Sequence, residues 1–160
     1  MKILVLALGN DLFGDDAVGF LVAENLIRLL SDISMRDSVE ILKSHETGFK
    51  LLDYIISDYD HVILVDSILG EEPGRIVKAS PESFKKTIAF SPHYSGIPEV
   101  LELLEELDVK TPEVEIYAIE IKNTELGSSM SEEVLNSAIE LARILKSRIV
   151  QLLSKKRNRY

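Results

Sequence analysis

The apolar and polar positions of this chain fall into two periods that take turns from one end to the other. Ile3 to Leu8 is apolar without interruption, the pattern of a strand covered on both faces, and Ala17 to Leu30 then spaces its apolar residues at helical intervals. Ser38 to Lys43, carrying Val39, Ile41 and Leu42, predicts a second strand, and Phe49 to Ile56, after Gly48, a short helix. His61 to Val65 reads His-Val-Ile-Leu-Val, a third strand suited to the centre of a sheet and ending at Asp66. Glu71-Glu72-Pro73-Gly74 is a turn signal, after which Arg75 to Lys78 predicts a short, hairpin-like fourth strand. Pro98 suits the first turn of a helix whose apolar positions are Val100, Leu101, Leu104 and Leu107. Val114 to Ile121 alternates as a fifth strand with one wet edge or face. A final helix, from about Ser131 to Leu153, aligns Val134, Ala138, Leu141, Leu145, Ile149 and Leu152 on one stripe. Ser129 and Glu132 have the spacing of a capping box at its start, to within one or two residues.

Five strands interleaved with helices predict an α/β fold, a three-layer α/β/α sandwich around a mostly parallel sheet. No linker, repeat or low-complexity stretch interrupts the alternation, so residues 1–154 read as one domain and 155–160 as a basic C-terminal tail, solvated and frayed. With 160 residues and 46% hydrophobic content the chain can bury one real core and not two. Ligands of such sheets bind outside the carboxyl ends of the strands, where the strand order reverses. Asn10 to Asp16 follow the first strand and Asp66 to Gly70 the third, which puts both acidic ends on one rim.

Charge and composition then remove whole classes of function. A net charge of -9 argues against nucleic acid, which needs a basic footprint; Lys155, Lys156, Arg157 and Arg159 form the one basic run. With no cysteine there is no disulfide, thiolate metal site or cysteine nucleophile. The apolar segments are broken by charges before the roughly 18–20 residues of a membrane span, and Ile3 to Leu8 is too short for the apolar core of a signal peptide, so the expectation is a soluble cytoplasmic protein.

What chemistry remains is concentrated in the first crossover, LALGNDLFGDDAVGF. A strand feeding a helix through glycines is a place for phosphate, but Asp11, Asp15 and Asp16 would repel one, so a ligand there is a cation. Asp16, at the helix start, is either a cap or a ligand, and Asp15 competes for both roles. Asp66 is either an Asx turn leaving the strand or a carboxylate opening into a cleft. His93, in Ser91-Pro92-His93-Tyr94-Ser95-Gly96, is either an ordinary loop histidine or an imidazole held at a fixed angle between Pro92 and Gly96. His61 opens a strand and belongs to the opposite rim, whereas His45 follows the second strand and could reach the rim of Asp66. Two carboxylates and an imidazole suit a divalent metal such as nickel or zinc. Fifty positions separate Asp16 from Asp66 and 27 separate Asp66 from His93, so only the fold could gather them. The chain has no G-x-S-x-G elbow, H-E-x-x-H helix or Gly-Lys-Ser/Thr loop, and an aspartate acid/base dyad stays open.

Taken in order, LGNDLFGDDAVG, ILVDSI, PGRIV, SPHYSG and GSSMSEEV resemble the hydrogenase maturation endopeptidases of nickel–iron hydrogenases, over about residues 2–150. The resemblance implies a five-stranded mixed sheet with its fourth strand antiparallel. It also implies an endopeptidase that removes the C-terminal extension of the hydrogenase large-subunit precursor after nickel insertion. Residues matching Asp16, Asp66 and His93 bind metal in that family, and the nickel comes with the substrate; no resident organic cofactor is implied. Two positions depart from the family. Some relatives carry Glu where Asp16 stands, and many carry Asp-Gly-Gly-Thr after the second strand where this chain reads Lys43-Ser44-His45-Glu46-Thr47-Gly48. The same three residues would also serve a non-catalytic nickel-binding or delivery module, or a peptidase with resident zinc.

Overall fold

The computed structural model describes residues 1–31, 37–79 and 97–157. In chain order the elements are β1 (Ile3–Leu8), α1 (Val18–Leu30), β2 (Val39–Ser44), α2 (Leu52–Ile55), β3 (His61–Leu69), β4 (Ile76–Ala79), α3 (Ile97–Glu106), β5 (Glu113–Ile121) and α4 (Glu132–Arg157). Single 3-10 turns, Gly14–Ala17 and Gly48–Leu51, lead into α1 and α2. The strands form one sheet in the order β2-β1-β3-β5-β4. β2, β1, β3 and β5 run parallel and β4 is antiparallel to β5, the mixed sheet that the family resemblance implies. Strand order reverses at β1, which has β2 on one side and β3 on the other.

Alternation along the strands sorts the core into two layers. Ile3, Val5, Ala7, Ile63 and Val65 pack with Val22, Ala23 and Leu26 of α1 and with the predicted stripe of α4, whose members from Val134 to Leu152 are all buried. Leu4, Leu6, Leu8, Val62 and Leu64 face the other way, onto Leu51 and Tyr54. Both faces of β1 and β3 are therefore apolar, which is why their sequences show no alternation. Gly19 lets α1 approach the sheet: a Cβ there would lie 2.1 Å from the Leu8 carbonyl oxygen and 3.1 Å from that of Val65.

Several boundaries depart from expectation. β3 does not end at Asp66; it continues to Leu69, because β5 offers a parallel partner all the way, from His61↔Glu113 to Leu69↔Ile121. β4 makes no hairpin with β3, since β5 already occupies that edge, and it pairs with the far edge of β5. β5 has no wet face: Glu115 is paired with Arg148 and Lys78, and the buried Glu120 with Arg75. Leu107, expected on the apolar stripe of its helix, is exposed. The last helix begins at Glu132 with Ser131 as its cap, and it runs on through Lys155 and Lys156 to Arg157.

Candidate functional site

The chain leaves β1 at Gly9, whose φ of +156° brings it against Asp16: a Cβ on Gly9 would lie 2.4 Å from the Asp16 carbonyl oxygen, which accepts the Asn10 amide at 3.2 Å. The Asp16 amide closes the turn on the Phe13 carbonyl at 2.9 Å. The loop is thereby folded back over the carboxyl end of β1, beside that of β3, and Asp16 stands at its inner end.

Asp15 and Asp16 have separate employments. Asp15 is buried, and its carboxylate accepts the Ser131 amide at 2.6 Å, the Ser131 hydroxyl at 3.1 Å and the Asn123 amide at 3.3 Å. It takes the place that a capping-box glutamate would have at the start of α4, from a distant part of the chain. The expected Ser129–Glu132 box is not formed, because the helix starts at Glu132 with Ser131 as its cap, which leaves Ser129 ahead of it. Asp16 caps nothing: α1 has no side-chain cap at its N-terminus. Its half-buried carboxylate instead accepts the Ser67 hydroxyl, Oγ to Oδ1, at 2.5 Å.

Asp66 is fully buried inside β3, in register with Ala118. It does not open an Asx turn out of the strand. Its Oδ1 accepts the amide of Ser67 at 2.8 Å. Alternation puts Asp66 on the Leu64 face of the sheet and Ser67 on the Val65 face, towards α1. Asp16 and Asp66 thus share one serine, which bonds the first through its hydroxyl and the second through its amide, beside the point where strand order reverses. His93 lies outside the described residues, in the segment before α3. Among the described residues, no three His, Cys, Asp or Glu side chains gather in a metal-holding group. Asp11 is exposed.

His45 is on the same rim, exposed, with its ring T-shaped against Phe20 at 4.9 Å between centroids. His61 is at the opposite rim, as its place at the start of a parallel strand requires. It is buried between Glu113, 3.4 Å from Nδ1, and Glu115, 3.3 Å from Nε2, and Nε2 has no hydrogen-bond partner. Burial lowers the His61 pKa, outweighing the two carboxylates that raise it. Burial would raise the pKa of Glu115, but donation by Arg148, Lys78 and Tyr117 outweighs it and holds the carboxyl at about 2.

Beside the exposed Asp11, the loops at this rim also present apolar side chains. Leu12, Phe13 and Leu126 are 59%, 36% and 72% exposed. Phe13 bridges Leu126 in antiparallel fashion, and the Gly127 amide donates to the Leu12 carbonyl at 2.9 Å, so the two loops form one lip. Neither Ser67 nor this lip is evident from the sequence. An Asp-Ser pair after an apolar run reads as a turn, and the two halves of the lip are far apart in the chain.

Residues 22–147 match the sequence profile of the family described as hydrogenase maturation protease. The chain belongs to that family. Asp66 and His93 fall within the matched stretch and Asp16 just ahead of it. Protein FrxA of Pyrococcus furiosus is 34% identical over 128 residues, covering 76% of this chain and 85% of its own. Among solved structures, the [NiFe] hydrogenase maturation protease HybD from Thermococcus kodakarensis is 31% identical, with a TM-score of 0.64 over 91% of this chain and 99% of its own. The hydrogenase maturating endopeptidase HybD from E. coli is 28% identical, with a TM-score of 0.66 over 92% and 94%. Membership in the hydrogenase maturation proteases makes this chain a peptidase, with the sheet and crossovers of that fold. Among its described residues no helix is long and apolar enough to cross a membrane.

Proposed function

We propose that this protein removes the C-terminal extension of a nickel–iron hydrogenase large-subunit precursor once nickel has been inserted, and that Asp16, Asp66 and His93 grip the nickel the precursor carries. The observation that carries the reading is that Asp16 and Asp66 each bond to Ser67 near the switch point of the sheet, in a chain of this protease family. Two carboxylates and an imidazole are donors suited to a divalent ion of intermediate softness. No thiolate is available in this chain to compete with the ligands the substrate brings.

The part of the chain is positioning. Held by these three side chains, the metal would fix the end of the precursor, and the scissile bond would be presented in one register. Nickel supplies Lewis acidity for the adjacent carbonyl or for water. The apolar lip of Leu12, Phe13 and Leu126 suits a polypeptide substrate better than a small polar one.

The test is to incubate purified protein with nickel-loaded precursor and follow precursor mass. The expected result is loss of the C-terminal extension with the native enzyme and none with Asp16→Ala or His93→Ala. Processing by either variant at the native rate overturns the assignment of roles. Binding of the loaded precursor with no loss of mass would make the protein a delivery module.

A further inference from the structure

We infer that Ser67 is a positioning residue that aims the Asp16 carboxylate, an inference that rests on the reading of Asp16 and Asp66 as ligands of the substrate's nickel. Ser67 is the residue after Asp66 in β3, in register with Ile119 of β5, and only 5% exposed. Its backbone is held by a strand ladder on a central strand, whereas Asp16 belongs to a turn. Its two polar hydrogens go to the two carboxylates: the amide to Asp66 Oδ1 at 2.8 Å, the hydroxyl to Asp16 Oδ1 at 2.5 Å. A side chain anchored on a central strand thus orients one carried by the loop.

The backbone of Asp16 is already fixed, through the Gly9 approach and the bond from Asn10 to its carbonyl. What those contacts leave undetermined is the side-chain torsion. A donor to Oδ1 sets the plane of the carboxylate and therefore the direction in which Oδ2 is presented. A hydrogen bond to an ionised acceptor is strong enough to select one rotamer, and outer-shell donors of this kind commonly change metal affinity by about 10–100-fold when removed. The amide bond to Asp66 does not depend on the side chain at 67, so Ser67→Ala would remove one arm of the device and leave the other.

Nickel(II) chloride titrated calorimetrically into native, Ser67→Ala, Ser67→Val and Asp16→Ala protein tests this, with cobalt(II) absorption spectra and thermal unfolding recorded on the same samples. Ser67→Ala is expected to weaken nickel binding by about 10–100-fold and to alter the cobalt spectrum, with a melting temperature close to native. Ser67→Val, which lacks the hydroxyl and suits a strand, should weaken nickel binding as Ser67→Ala does. Native affinity in Ser67→Ala, with binding lost in Asp16→Ala, overturns the positioning role and keeps Asp16 as a ligand. Native affinity in Asp16→Ala overturns the ligand reading beneath it. If Ser67→Ala does not fold, Ser67→Val decides the matter, and native affinity there overturns the inference.

Discussion

Asp15 gives its carboxylate to Ser131 and Asn123, while Asp16, one residue on, gives its own to Ser67. The two should respond oppositely to substitution. Asp15→Ala leaves the Ser131 amide and the Asn123 amide without their acceptor and loosens the start of α4 from the crossover. Bonds to a charged group are worth about 1.5–3 kcal/mol each, so a loss of at least about 2 kcal/mol is expected in urea unfolding. Asp16→Ala should leave the unfolding midpoint near native and abolish processing. At the far rim, Glu115 makes the fold sensitive to acid. Its folded pKa of about 2 lies below the value of 4.5 for a free carboxyl, so its contribution is complete above about pH 4.5 and is lost as the pH falls towards 2. His61 acts in the same direction at higher pH. Its folded pKa is lowered by burial, so below about 6.5 the unfolded chain takes up a proton that the folded one resists. Thermal unfolding followed from pH 7 to pH 2 should therefore show falling stability, and Glu115→Gln should be less stable at pH 7 but lose less between pH 5 and 2.

At the scale of elements, α1 is placed by the absence of a side chain. Any Cβ at position 19 would stand 2.1 Å from the Leu8 carbonyl, so Gly19→Ala must push the helix off the ends of β1 and β3. Overpacking of this kind costs about 1–3 kcal/mol, and because the displaced helix start adjoins Asp16, processing should fall with stability. The lip makes a complementary prediction. Leu126→Asp places a charge on a surface position far from the core, so the melting temperature should hold while the KM for the precursor rises. The helices α1 and α4 were legible because each buries a stripe: Val134 to Leu152 repeats at helical spacing and every member is in the core. The reach of β3 and the partner of β4 were not, since both depend on β5, which comes later in the chain and leaves no mark on the local pattern. Asp66 stood out as a charge closing an apolar run. Ser67 did not, because its decisive bond crosses 51 positions to Asp16.

The molecule as a whole carries a net charge of -9, and its candidate site adds the carboxylates of Asp16 and Asp66, both hydrogen-bonded to Ser67. Such a surface repels anything anionic, including a thiolate-rich site from which nickel is missing. On the proposed reading nickel would reverse the sign of the contact, neutralising the substrate's own ligands and offering the carboxylates a cation. Recognition on this account is a difference of affinities between two forms of the same precursor, with the repulsion as necessary as the attraction. Precursor prepared with nickel withheld should therefore remain uncut at enzyme concentrations that process the loaded form to completion. Addition of nickel to the same sample, under conditions that allow its insertion, should restore cleavage. The uncut precursor should also fail to compete with the loaded one, since the checkpoint acts at binding. Full competition without cleavage would move the role of nickel from docking to the bond-breaking step, and equal cleavage of both forms would remove nickel from recognition altogether.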